Sequence, residues 1–192
     1  MRITRWHIPS LCLMLIIIAA CAETKAVVKP VAATDTRGMT DDVGYCTHPD
    51  QMGATVKLAE EIEKADMALW ASRNAGFLPI AAVSPHDDYL YAAQLYVLAI
   101  KPVAAAKTVV IFGVTHKDAR KVLGDPQDVL IFDDYRRWTG PYGVVDVDTD
   151  LRQAIIDGLP QGHVVVSADA HRMEHSIEAM VPFLQSRKSM SE

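Results

Sequence analysis

Cysteine is nearly absent: three in 192 residues, at Cys12, Cys21 and Cys46. The first two fall in an apolar leader, so the body of the chain keeps only Cys46 and can close no internal disulfide. Its stability has to come from packing or from a metal. A lone free thiol is usually a small buried hydrophobe. Positive charge is short as well, with 19 Lys and Arg against 24 Asp and Glu and a formal charge of −5. With no Lys/Arg cluster, the composition argues against nucleic acid and against anionic lipid headgroups as partners. No apolar run reaches the roughly 20 residues that a membrane-spanning helix needs. No internal repeat is visible.

What the first twenty residues do have is the pattern of a signal peptide. Arg2 and Arg5 give a positive start, and residues 11–20 form a short apolar core. Ile18-Ala19-Ala20-Cys21 resembles the lipobox of bacterial lipoproteins, in which cleavage precedes a Cys that carries diacylglycerol. On this reading Cys21 is the mature N-terminus, and its acyl chains hold the body on a lipid bilayer at about 0.8 kcal/mol per buried CH₂. An ordinary secretory signal with an incidental Cys21 fits the same small residues. Ala22 in place of Asp after the Cys points to the outer membrane, facing the periplasm, in a host with two membranes. Cleavage removes two Arg and no acid, which takes the charge from −5 to −7. Residues 21–42 read as a flexible tether with a reach of roughly 25 Å. Residues 43–192 read as one domain of ordinary size.

Within that domain strands alternate with helices, which predicts an α/β fold with a mostly parallel sheet flanked by helices on both faces. Asp50 is expected to cap a helix with Leu58, Ile62, Ala65 and Leu69 on its inner face. Residues 80–83 and 109–112 read as short buried strands, and the apolar residues 89–100 as a helix buried against the sheet. Residues 129–132, 144–147 and 164–167 are further strands, and residues 138–143 a turn. Asp148 or Asp150 starts a helix with Leu151, Ile155 and Leu159 on one face. The last helix carries Ile177, Met180, Val181 and Leu184, with a kink at Pro182.

Three histidines each sit just past an apolar run: Ser84-Pro85-His86-Asp87-Asp88-Tyr89, Phe112-Gly113-Val114-Thr115-His116, and Glu174-His175-Ser176-Ile177-Glu178. In open α/β sheets ligands collect at the carboxyl ends of the strands. Neutral imidazoles from His86, His116 and His175 converging there suit zinc or ferrous iron, with positions left for water or substrate. Asp87 is a candidate oxygen ligand or proton handler beside His86. Glu178, one turn beyond His175, is a candidate to orient that imidazole or act as a base. It equally fits a solvated helix residue.

These segments, with Gly140-Pro141-Tyr142-Gly143-Val144-Val145-Asp146-Val147-Asp148 and Ala179-Met180-Val181-Pro182-Phe183-Leu184, follow in order the landmarks of the Memo family. The opening stretch Gly44-Tyr45-Cys46-Thr47-His48-Pro49-Asp50 is also similar to that family, which includes the AmmeMemoRadiSam system protein B proteins. The resemblance covers about residues 42–185. It implies a fold similar to class III (LigB-type) non-haem iron extradiol dioxygenases, metal at His86 and His116, and His175 lining the same pocket. The activity it implies is non-haem metal redox chemistry on a small molecule.

The chain departs from the family in several places. Asp87 and Asp88 replace an Ala-Gly pair, and Lys117 stands where many relatives carry a second His. The family's later part, with more sheet and a Cys that joins two histidines at the metal, has no counterpart here. The chain therefore reads as a C-terminally truncated Memo-like domain or a fragment of a longer one. Cys46 and His48 would replace the missing ligand if the opening segment folds over the pocket. His171-Arg172-Met173-Glu174-His175 also matches the H-x-x-E-H signature of inverted zincin peptidases, with Glu174 as base. The competing class is a non-catalytic lipoprotein that binds a metal, a ligand or a protein.

Overall fold

Pro49 starts the first long helix, at a position where its missing N–H costs nothing. The computed structural model describes residues 35–189, so the signal peptide, Cys21 and most of the expected tether lie outside the described residues. Helix α1 (Pro49–Ile62) is capped by His48, and Asp50 falls in its first turn rather than at the cap. Met52, Val56 and Ala59, spaced by four and three, form its buried stripe. The expected inner face is instead open, with Leu58 63% and Ile62 54% exposed. Two causes combine. The helix breaks at Glu63, and α2 (Lys64–Arg73) starts anew, so Leu69 is out of phase with Leu58. Leu58 and Ile62 also lie off the Met52, Val56 and Ala59 stripe, which among the described residues is the buried face of α1.

Those partners are α3 (Tyr89–Ile100) and α7 (Val181–Ser189). The all-round apolar α3 buries Tyr89, Ala92, Ala93, Tyr96, Val97 and Ile100 against helices, not against a sheet as expected. Tyr96 stacks on Phe183 at 4.6 Å, and Tyr89 stands edge-on to both. Each buried phenol has an acceptor, as burial demands. Tyr89 donates to the Ala179 carbonyl at 2.9 Å, and Tyr96 to the Asp87 carbonyl at 3.0 Å. The second bond ties the core to the loop that carries His86. Pro182 lies in the first turn of α7, so it makes no kink, and residues 176–180 are turns rather than helix.

The strands form two small sheets instead of one broad parallel sheet. In the first, β3 (Arg137–Gly140) and β4 (Gly143–Asp146) make an antiparallel hairpin, and β1 (Thr36–Arg37) joins β3 in parallel. Trp138 to Gly140 is thus strand, and only Pro141 and Tyr142 turn. In the second, β2 (Leu130–Phe132) pairs in parallel with β5 (Val164–Val166), close to the expected boundaries. Three short helices complete the body: α4 (Lys117–Val122), α5 (Thr149–Gly158) and α6 (Ala168–Arg172). Asp148 caps α5 as expected, accepting from the Leu151 N–H at 3.0 Å.

Residues 80–83 and 109–112, expected as buried strands, enter no sheet among the described residues. Ile80 is 100% exposed, Val83 97% and Phe112 76%. Their composition favours extended backbone, but a strand also needs a neighbour for its N–H and C=O groups. Residues 36–41, read as the end of a tether, are docked on the body. Arg37 is 1% exposed, lies over the Trp138 ring, donates to the His171 and Glu174 carbonyls and pairs with Glu178. No helix among the described residues is long and apolar enough to cross a membrane.

Candidate metal centre

His86, His116 and His175 arrive from three separate loops, and their ligand atoms all lie within 4.8 Å of one another. The His86 and His116 Nε2 atoms are 3.2 Å apart. Two nitrogens sharing a tetrahedral ion at about 2.05 Å would be about 3.3 Å apart. The His175 ring stacks on His116 at 4.7 Å between centroids.

Each histidine has its own support. The His116 Nδ1 lies 2.8 Å from Glu174 Oε1, while the His116 backbone N–H donates to Glu174 Oε2 at 2.7 Å. An ionised carboxylate only accepts, so Nδ1 is the donor in this contact, and the neutral ring that a metal requires would present its Nε2 lone pair. That lone pair faces the His86 Nε2, an arrangement satisfied by a cation between them or by a proton on His86. A carboxylate behind an imidazole is the usual support of a metal-binding histidine. His175 Nδ1 has Asp41 Oδ2 at 3.4 Å. The His86 loop is held by Tyr45, which donates to the His86 carbonyl at 3.0 Å, and by Tyr96.

Close backbone approach makes the cluster feasible. Gly113 lies against Ser176 and Ile177, where a Cβ would overlap both side chains. Ser176 then donates from Oγ to the Val114 carbonyl at 3.0 Å. The Gly-Val-Thr-His sequence thereby brings His116 beside the Glu174 turn.

The electrostatics favour a neutral His86 in an acidic surround. Burial, then the neighbouring His116 and His175, hold the His86 pKa below its usual value. Burial alone would raise Glu174, but hydrogen bonds from His116 and Ser176 outweigh it and leave its carboxyl below the ordinary value. Burial, opposed by His175, raises Asp41. Burial, followed by Asp88, Asp41 and Asp87, pushes the Tyr45 phenol up to about 12, so it remains a donor at neutral pH. The three histidines share with Asp41, Val43, Tyr45, Pro85, Asp87 and Asp88 a cleft of about 640 Å³, a size suited to a small molecule.

Other expected residues lie elsewhere. Glu178 is not one helical turn from His175 on a shared face, because residues 176–180 form turns. It is buried, pairs with Arg37 and accepts from the Thr40 and Asp41 N–H groups at 2.7 and 3.1 Å. Its work is to hold the loop that carries Asp41. Asp87 lines the cleft but is not one of the clustered ligands, and its Oδ1 accepts from the Asp88 N–H. Cys46 is buried in the helical core with its Sγ 3.3 Å from Thr55 Oγ1, and His48 is the exposed cap of α1. Neither lines the cleft. The H-x-x-E-H reading needs one helix, but α6 ends at Arg172. His171 is buried edge-on to Trp138 and is not in the histidine group. Glu174 and Asp41 are the supports that the sequence reading did not assign. The sequence points to Glu174 only as the base of the H-x-x-E-H reading, and its adjacency to His175 is a further local signal.

A mixed α/β body with small sheets and a candidate three-histidine metal site defines the class of protein. The Memo-like protein family profile matches residues 49–191, so the chain belongs to that family. It is 36% identical over 110 residues to a MEMO1 family protein of Methanosarcina barkeri, which covers 56% of this chain and 36% of that protein. Over 107 residues it is 35% identical to one of Aquifex aeolicus, again covering 56% and 36%. A Methanococcoides burtonii relative is 33% identical over 106 residues, with 55% and 36% covered. The match thus spans about a third of the length of these curated relatives.

Proposed function

We propose that His86, His116 and His175 hold one divalent ion, ferrous iron or zinc, and present it to a small molecule in the cleft. The observation that carries this reading is the Glu174 carboxylate 2.8 Å from His116 Nδ1, with the His116 Nε2 only 3.2 Å from the His86 Nε2. When bound, such an ion polarises a coordinated oxygen and, as iron, supplies redox chemistry with positions open to a ligand. The chain's own residues do the positioning. Glu174 orients His116, the Tyr45 and Tyr96 hydroxyls fix the His86 loop, and burial with neighbouring imidazoles keeps His86 neutral. The Memo resemblance, which implies a LigB-type dioxygenase-like fold, makes non-haem redox chemistry the class to test first.

Binding without turnover is a second reading, and a specific observation favours it. Glu178 is bound to Arg37, and Asp87 Oδ1 to its neighbour's N–H, so both expected proton handlers are engaged. The test for the shared centre is metal content of the folded full chain, purified anaerobically and incubated with Fe²⁺ or Zn²⁺. About one ion per chain is expected, lost in His86→Ala/His175→Ala. A folded wild type that takes up neither metal would overturn the centre.

Attachment to a bilayer through an acylated Cys21 belongs to the same proposal and is supported by the leader and its lipobox-like end. Metabolic labelling with alkynyl palmitate should mark the wild type and not Cys21→Ser. An unlabelled wild type would leave the ordinary secretory signal.

A further inference from the structure

The charged side chains that line the cleft beside the histidines all have one sign. They are Asp41, Asp87 and Asp88, and no Lys or Arg is among the lining residues. Arg37, a buried cation beside the Glu174 turn and not among the lining residues, is engaged by Glu178 and by the carbonyls of Gly38, His171 and Glu174. A divalent ion on three neutral imidazoles would carry two positive charges and draw anions. Glu174 behind His116, with Asp41, Asp87 and Asp88 at the mouth, sets four carboxylates against those two charges.

The two residues beside His86 are placed by the local backbone. Gly44, with φ at +79°, leaves room for the Asp88 carboxylate, and a Cβ there would overlap it. The Gly44 carbonyl accepts from the Tyr89 N–H at 2.8 Å, which holds the two loops together. Asp87 Oδ1 accepts from the Asp88 N–H at 2.8 Å, which restrains that carboxylate at the rim. Neither belongs with the three clustered nitrogens. Both line the same cleft as those nitrogens.

We propose that this mouth selects a small molecule bearing a positive charge, an amine or a guanidine, and rejects carboxylates and phosphates, with Asp87 and Asp88 setting the preference. The inference rests on the metal reading: the ligand's donor atom meets the ion while its cationic group meets the two aspartates.

The test uses the full chain loaded with Co²⁺ and titrated with N-(aminopropyl)imidazole, N-propylimidazole and imidazole-N-propanoate, followed by the visible cobalt spectrum. Each probe offers one ring nitrogen to the ion, so the three differ mainly in charge. The cation is expected to bind about tenfold tighter than the neutral probe and the anion about tenfold weaker, as charges several ångströms apart near a surface predict. In Asp87→Asn/Asp88→Asn, which keeps shape and the local hydrogen bond, the three affinities should fall within about threefold of one another. Equal affinities in the cobalt-loaded wild type overturn the charge selection and leave the metal centre standing. A ranking unchanged in the double variant overturns the assignment to Asp87 and Asp88. A folded chain that binds no cobalt overturns the metal reading and this inference with it.

Discussion

Tyr96 on α3 keeps none of its surface exposed, whereas Ile80, in the apolar run that leads to His86, keeps all of it. Both residues belong to strongly apolar stretches, and both stretches feed the same cluster of histidines. The α3 stretch meets α1 and α7 and becomes core. Residues 80–83 and 109–112 meet no ladder partner among the described residues and stay mostly exposed, with Ile111 alone packing against the Tyr135, Trp138 and Val181 cluster. Apolar content makes a core only where a second surface exists to receive it. The contrast also shows how a centre is positioned on sparsely packed backbone. Hydrogen bonds at the ends of the runs, from Tyr45 and Tyr96 to the His86 loop and from His116 to Glu174, do what a sheet would otherwise do.

The most severe break in the contrast is Tyr96→Ala. It removes a fully buried ring stacked on Phe183 and the bond to the Asp87 carbonyl. The expected loss is roughly 3–5 kcal/mol of unfolding free energy, read by urea denaturation. A loss below about 1 kcal/mol would show that the helical pack is looser than its burial implies.

Glu178→Ala follows closely. It leaves Arg37, 1% exposed, without its carboxylate, and frees the Thr40 and Asp41 N–H groups. About 3 kcal/mol of destabilisation is expected, because removing one partner strands a buried charge. Metal stoichiometry should survive at low temperature, since Glu178 touches no clustered nitrogen. Loss of metal from a folded variant would restore Glu178 to the site that the sequence reading gave it.

Glu174→Gln probes the junction between the two regions. The carboxylate accepts from His116 Nδ1, His116 N and Ser176 N, and an amide cannot accept all three with the same oxygens. Metal affinity should fall about 10- to 100-fold. Amide exchange should rise in residues 109–116 while α1 and α3 stay protected. Acid should act on the same contact. Because the folded pKa of Glu174 lies below 4.5, its contribution to stability is present above that value and lost as pH falls through the folded pKa. The wild type should therefore lose its stability advantage over Glu174→Gln on acidification below pH 4.5. An advantage that persists to pH 2 would sink that assignment.

The legible parts of this molecule are those whose cause is local. His86 and His116 stood out because each follows an apolar run, His175 because of its Glu-His-Ser-Ile-Glu setting, and α3, α5, β2 and β5 because their periodicity lies within a few residues. Arg37 and Glu178 could not be paired from sequence, since 141 positions separate them. The Glu174 turn depends on α6 stopping at Arg172, which the H-x-x-E-H spacing does not reveal. Residues 80–83 and 109–112 have a strand-like composition but form no strand, because pairing is a property of the neighbour.

Ile80→Ser should have the smallest effect, and it is the sharpest complement to Tyr96→Ala. A side chain that is 100% exposed gives up no transfer free energy when shortened and made polar. The expected change is within about 0.5 kcal/mol in the same urea titration. Its metal affinity should match wild type, because the His86 loop is held by phenol hydroxyls rather than by Ile80 packing. A loss above about 1.5 kcal/mol would mean that Ile80 is covered in solution. The two apolar stretches would then differ in the identity of their partner, and no longer in whether they have one.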